Sequence, residues 1–296
     1  MNPAFPGLLP VGELETSPGS KGYFVTDLPG AKASKSAAHS LGLSGTASHS
    51  IALGQDSAGS PAPLTDTPII SVSDVTYTLN IASRPLHILR NVSFHVRPAE
   101  VVAIVGPSGS GKTSLLMLIA GLERATTGKV VVAGQDLTGL NEDDLADFRR
   151  KTLGIVFQSF HLIPSLAALD NVGLALEIAS PGLSLAQTRE AAAAALTSVG
   201  LGDRLHHRPA ALSGGEQQRV GLARAMIANP SLLADEPTGN LDQKTGAVVF
   251  DLMFDLARKQ RAAVVFVTHD PVLAARADRV LTMTLGELVE TTPGSA

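Results

Sequence analysis

Residues 106–113 read Gly-Pro-Ser-Gly-Ser-Gly-Lys-Thr and follow the continuous apolar run Val101–Val105. Such a run suits a strand covered on both faces, as in the middle of a parallel sheet. The pattern G-x-x-x-x-G-K-[ST], set between a buried strand and a helix, is that of a phosphate-binding loop and commits the chain to an α/β architecture. Gly106, Gly109 and Gly111 let the backbone bend until successive N–H groups point inward at phosphate oxygens. The helix predicted from Lys112 to about Gly121 aims its positive dipole end at the same anion. Pro107, Ser108, Ser110 and Ser114 complete the candidate cradle. Lys112 is suited to reach β- and γ-phosphates, and the Thr113 hydroxyl to ligate Mg²⁺.

A second short apolar strand, Leu232–Ala234, ends in Asp235-Glu236. In doubly wound sheets ligands bind at the carboxyl ends of strands, so two acids there are placed for chemistry. Asp235 is suited to the magnesium shell and Glu236 to polarising an attacking water, since phosphoryl transfer depends mostly on positioning and charge stabilisation.

Composition narrows the field further. The 296 residues suffice for one large α/β domain or two small ones, and 44% of them are hydrophobic. A net charge of −4 argues against electrostatic gripping of nucleic acid. The absence of cysteine excludes disulfides, thiolate nucleophiles and Cys-type zinc sites. No run approaches the roughly 20 apolar residues that span a bilayer. The charged start and apolar heart of a signal peptide are also missing, so a soluble, cytoplasmic protein is expected.

Residues 1–67 are dominated by Gly, Ala, Ser, Thr and Pro, with Phe5, Tyr23 and Phe24 as their aromatics. A segment of that kind buries too little apolar surface to offset its ordering entropy and is expected to be a disordered, low-complexity extension. A translation start further downstream is the other reading. From residue 68 the pattern becomes α/β. Ile69–Tyr77 and His87–Val96 alternate as half-buried antiparallel strands, and Lys129–Val132 and Ala263–Val267 read as further strands. Asn141 before Glu142–Asp144 marks a helix start. Helices are also predicted over Ala168–Ala179, from a capping box at Ser184 and Gln187 as far as Gly200, and over Gly246–Ala257.

Leu212-Ser213-Gly214-Gly215-Glu216-Gln217-Gln218-Arg219 completes a set. With the glycine loop and the acid pair, residues from about 68 to 290 resemble the ATP-binding subunit of ABC transporters. Val156-Phe157-Gln158 and Ala234–Asp242 are similar to one branch, that of the lipoprotein-releasing, macrolide-exporter, cell-division and YbbA-type ATPases. The resemblance implies a RecA-like core sheet, an antiparallel β subdomain and an α-helical subdomain near 160–215, within a nucleotide-binding domain of residues 68–292. It implies that Tyr77 stacks on adenine, although the same tyrosine also suits a half-buried strand position. Gln158 matches the switch-loop glutamine that contacts Mg²⁺ and the attacking water. His269 matches the histidine that contacts the γ-phosphate and orients Glu236.

Ser213, Gly214 and Gly215 match the helix start that binds the nucleotide held by a second copy, and Asp242 matches the loop that crosses that interface. The partners implied are therefore another copy of the chain, arranged head to tail, and a separately encoded transmembrane permease. Its docking rim would be Gln158–Pro164 and the helices of residues 168–210, with Phe160, Leu162 and Ile163 either seating the permease or covering the helical subdomain. A peripheral position on the inner face of the membrane follows. Glu216 stands where much of the superfamily has glutamine. The run Pro230–Asp235 is one residue shorter than the family pattern. A loop can absorb that loss, whereas loss from the strand itself would exchange its faces and misplace Asp235. Two other functions stay open: an envelope regulator of the cell-division type that transports nothing, and a nucleotide-binding module with impaired hydrolysis.

Overall fold

The computed structural model describes residues 67–81, 84–228 and 231–291; the expected extension, apart from residue 67, lies outside the described residues, as does Pro230. The elements run β1 (Ile70–Ile81), β2 (Arg84–Val96), β3 (Val101–Val105), α1 (Lys112–Ile119), β4 (Thr127–Val132), β5 (Gln135–Asp136), α2 (Glu142–Thr152) and β6 (Leu153–Phe157). Then follow α3 (Ala168–Ala179), α4 (Leu185–Ser198), α5 (Gly214–Met226), β7 (Ser231–Asp235), α6 (Gln243–Gln260), β8 (Val264–Val267), α7 (Pro271–Ala274), β9 (Arg279–Thr284) and β10 (Glu287–Thr291).

Two sheets form. One is antiparallel, in the order β2-β1-β4-β5, and the other has the order β10-β9-β3-β8-β7-β6. In the second sheet β6, β7, β8, β3 and β9 are parallel neighbours, and β10 returns antiparallel along β9. Their continuous apolar character has the expected cause: Val101–Ile104 and all of Val264–Val267 are buried. One apolar cluster lies where α1, Ile70, Leu89 and Val132 meet Val102, Ile104 and Val265. The other packs Val156, Ala234 and Phe266 against α3, α4, α5 and α6. Phe250, Phe254 and Phe266 meet edge to face within it, with centroids 4.7–5.8 Å apart.

Local signals explain the helix starts. Asn141 Oδ1 accepts from the Asp144 N–H at 2.9 Å, and Ser184 and Gln187 form the reciprocal capping box of α4. In strand β7, Leu233 faces Ile155 and Val265, and Asp235 faces Phe157 and Val267. Among the described residues no helix is long and apolar enough to cross a membrane.

Candidate functional site

The order β3-β8-β7-β6 lines up four carboxyl ends, and each carries chemistry. The glycine loop follows β3, His269 follows β8, Asp235 and Glu236 end β7, and Gln158 follows β6. Gly106, Ser108, Gly109, Gly111, Lys112, Thr113, Ser114, Glu236 and His269, with Ile88 of β2, line a cavity of about 530 Å³.

The loop conformation depends on glycine at two places. Gly106 has φ +146° and a side chain there would collide with the Met283 carbonyl; Gly111 has φ +107° and sits on Leu89 and the Ile88 carbonyl. Lys112 is buried, and its Nζ donates to the carbonyls of Gly106 at 3.0 Å and Pro107 at 2.9 Å, so the ammonium is held over the loop. Ser110 Oγ is buried in the loop and has no hydrogen-bond partner among the described residues.

Thr113 Oγ1 donates to Asp235 Oδ1 at 3.1 Å, joining the helix start of β3-α1 to the end of β7. Burial, and then the neighbouring Glu236, push the Asp235 carboxyl up from the ordinary aspartate range, while Thr113 and Lys112 pull it down. A hydroxyl and a desolvated carboxylate side by side are hard oxygen donors of the kind Mg²⁺ takes together with substrate phosphates and waters.

Glu236 is a non-glycine residue at φ +43°, a left-handed conformation that costs roughly 1–2 kcal/mol. Its N–H donates to the Val267 carbonyl at 3.1 Å, and its Oε1 lies 3.4 Å from His269 Nδ1. Held strain of this kind is common where a side chain must be aimed. Gln158 stands beside it: its Nε2 donates to Asn240 Oδ1 at 3.3 Å and the Asn240 amide donates back to the Gln158 carbonyl at 2.9 Å. Gln158 and Glu236 both crowd the bare Cα of Gly239. Gly239, Asn240 and Ile88 carry no role legible in the sequence, and only their places beside Glu236, Gln158 and the glycine loop single them out. No local residue signal could have done so.

Ser213, Gly214 and Gly215 do not line the cavity. They start α5, where Ser213 is the N-cap and Glu216 completes a capping box. Gly214 packs on Leu241 and Phe160, and Gly215 on Thr245. Asp242 caps α6 by accepting from the Thr245 N–H at 3.0 Å, so the two segments expected at a shared interface are neighbours here. Of the three apolar rim residues, Leu162 packs onto the helical core, Phe160 is half-buried on Gly214, and Ile163 is 39% exposed.

Tyr77 corrects an expectation. It is 5% exposed in the core beside Ile70, Val72 and Leu89, and its hydroxyl donates to Glu123 Oε2 at 2.9 Å. Burial, reinforced by Glu123, pushes the phenol up to about 12. The cause is a bulge: register shifts between Val72 and Val75, where Asp74 has φ +51°, and the alternation changes phase. Tyr77 thereby turns to the same buried side as Val72 and does not line the cavity at the glycine loop.

Comparison with known proteins gives a consistent picture. The family described as ABC transporter matches residues 89–239. The ABC transporter ATP-binding protein YbbA of Escherichia coli K12 is 47% identical over 223 residues, covering 75% of this chain and 97% of that protein. The lipoprotein-releasing system ATP-binding protein LolD of Xanthomonas campestris pv. campestris strain 8004 is 47% identical over 201 residues, covering 68% of this chain and 83% of that one. The cassette MJ0796, solved as a dimer in a post-hydrolysis state bound to ADP and Pi, superposes with a TM-score of 0.71 at 37% identity, over 77% of this chain and all of that one.

Proposed function

The chain belongs to the ABC transporter family as an ATP-binding, ATP-hydrolysing subunit, and from that premise we propose that two copies close head to tail around two ATP molecules and drive a separate membrane permease. The observation that carries this reading is the single row of strand ends, with Lys112, the Thr113–Asp235 pair and the Glu236–His269 pair around one cavity.

In this mechanism the glycine loop and Lys112 bind the β- and γ-phosphates. Thr113 and Asp235, with Gln158 from the next strand end, would hold Mg²⁺, which when bound neutralises charge on the phosphate oxygens. Glu236 accepts a hydrogen bond from the attacking water and so aims it in line. His269 holds Glu236 in place and faces the γ-phosphate. Ser213 and the N–H groups of Gly214 and Gly215 close the site of the other copy, with Asp242 beside them at the seam. A symmetric head-to-tail pair then has two composite sites.

The permease docks on the rim around Ile163 and α3, which places the subunit at the inner membrane surface. The likeness to a lipoprotein-releasing ATPase points to an envelope-directed cargo. The test is Glu236→Gln in purified protein. With ATP it is expected to accumulate as a dimer on size exclusion and to lose hydrolysis, whereas a species that stays monomeric with ATP rejects the shared site.

A further inference from the structure

Glu216 is attached on two sides. Its Oε2 accepts from the Ser213 N–H at 2.8 Å and from the Ser213 hydroxyl at 2.9 Å, while Ser213 Oγ accepts from the Glu216 N–H at 3.3 Å. Its other oxygen, Oε1, accepts from Arg204 Nε at 3.2 Å. Arg204 comes from a separate 3-10 turn, Gly202–Arg204, and its Nη1 lies 3.4 Å from His207 Nε2. The bonds from Ser213, with Arg204 adding to them, hold the Glu216 carboxyl below the usual glutamate range, so it is an anion at neutral pH.

Capping alone does not call for that charge, because glutamine closes the same box as well as glutamate. A carboxylate one side chain from a serine that must meet a triphosphate repels it, and the repulsion grows as the closing interface sheds water. We infer that Arg204 is the counter-charge that lets Glu216 hold Ser213 beside the triphosphate of the second copy, which makes Arg204 a positioning residue for closure. This rests on the shared-site reading above. The pair is not a fold-stabilising device: the Arg204 side chain is 48% exposed, and ion pairs at such exposure contribute little to stability. Its charge balance is felt instead by any anion brought against Ser213.

Arg204→Gln and Glu216→Gln break the same ion pair, and this makes the test decisive. Each is placed in the full chain carrying Glu236→Gln, and dimer formation is titrated with ATP by size exclusion. Arg204→Gln leaves a bare carboxylate and is expected to raise the ATP concentration at half-dimerisation roughly tenfold, an effect that shrinks at high salt. Glu216→Gln keeps a neutral capping box and is expected to lower that midpoint or hold it within about twofold, with the double variant following it. Binding of ADP to the monomer, read in its own cradle, stays within about twofold throughout, since these side chains lie outside the cavity wall.

A purely structural pair would make both single variants shift in the same direction. That outcome overturns the inference, as does a double variant as weak as Arg204→Gln or a matching loss of ADP affinity. A Glu236→Gln parent that stays monomeric in ATP refutes the shared site and the inference with it. Where the parent dimerises, failure belongs to Arg204 alone.

Discussion

Gly239→Ala perturbs the catalytic side chains without touching the phosphate cradle. A Cβ at this position would lie 2.7 Å from Gln158 Nε2, 3.1 Å from Gln158 Cδ and 3.2 Å from Glu236 Oε2. Its backbone is not in the left-handed region, so alanine meets no torsional objection and the effect is steric. Gln158 is the softer neighbour and must move by several tenths of an ångström, weakening the hydrogen bond its side-chain amide donates to Asn240, which contributes about 1 kcal/mol. Glu236, fixed by its N–H to Val267, is pressed on the side opposite His269. Displacements approaching 1 Å at a catalytic group cost on the order of 100-fold in rate, so a fall in kcat of roughly 10- to 100-fold is expected. Steady-state ATPase assays read that fall. Equilibrium binding of ATP is expected to stay within about twofold, because Gly106–Thr113 are unaffected. A variant that hydrolyses ATP within about threefold of the parent would refute the convergence of Gln158 and Glu236 on this glycine.

Two further substitutions test the site from other sides. Tyr77→Phe removes the hydrogen bond to Glu123 and is expected to lower stability in denaturant titration by about 1 kcal/mol while leaving ATP affinity unchanged; a marked loss of affinity would restore a role at the base. Asp235→Asn keeps an acceptor for Thr113 but removes a carboxylate whose pKa is raised by burial and Glu236. A raised folded-state pKa means the penalty is absent below the unfolded value and grows as pH rises through the folded one. The variant is therefore expected to lose hydrolysis yet melt higher than the parent near neutral pH, the gap closing toward about pH 4; a lower melting temperature at neutral pH would contradict the desolvated carboxylate.

Elements whose ends carry their own chemistry were legible in the sequence. Ala168–Ala179 matches α3 residue for residue, Ser184 and Gln187 cap α4, and Lys112 opens α1 after a buried strand. What escaped depends on partners distant in the chain. β6 is a five-residue run containing Gly154, too short to declare itself without its neighbour β7. The hairpin of β9 and β10 turns through Leu285 and Gly286, both at positive φ, and a leucine in that position is no turn signal. Of the two readings open to Tyr77, the strand position holds, and the bulge at Asp74 that sets its side is invisible to periodicity unless a glycine marks it.

The strand ends answer to one another through single side chains, and Gln218 of α5 shows how the helix start takes part. Gln218 is fully buried, and its Nε2 donates to the Phe157 carbonyl at 3.3 Å and to the Pro237 carbonyl at 2.6 Å. Those carbonyls immediately precede Gln158 and follow Glu236. Its Oε1 has no partner among the described residues, a penalty of about 1–3 kcal/mol that an apolar residue would avoid. The amide therefore serves geometry at some expense of stability. A shift of α5, whose first residue is set by Ser213 and Glu216, cannot leave Phe157 and Pro237 where they are. The segment proposed to meet the partner's nucleotide is thus tied by one buried amide to the two loops that carry Gln158 and Glu236 in its own copy.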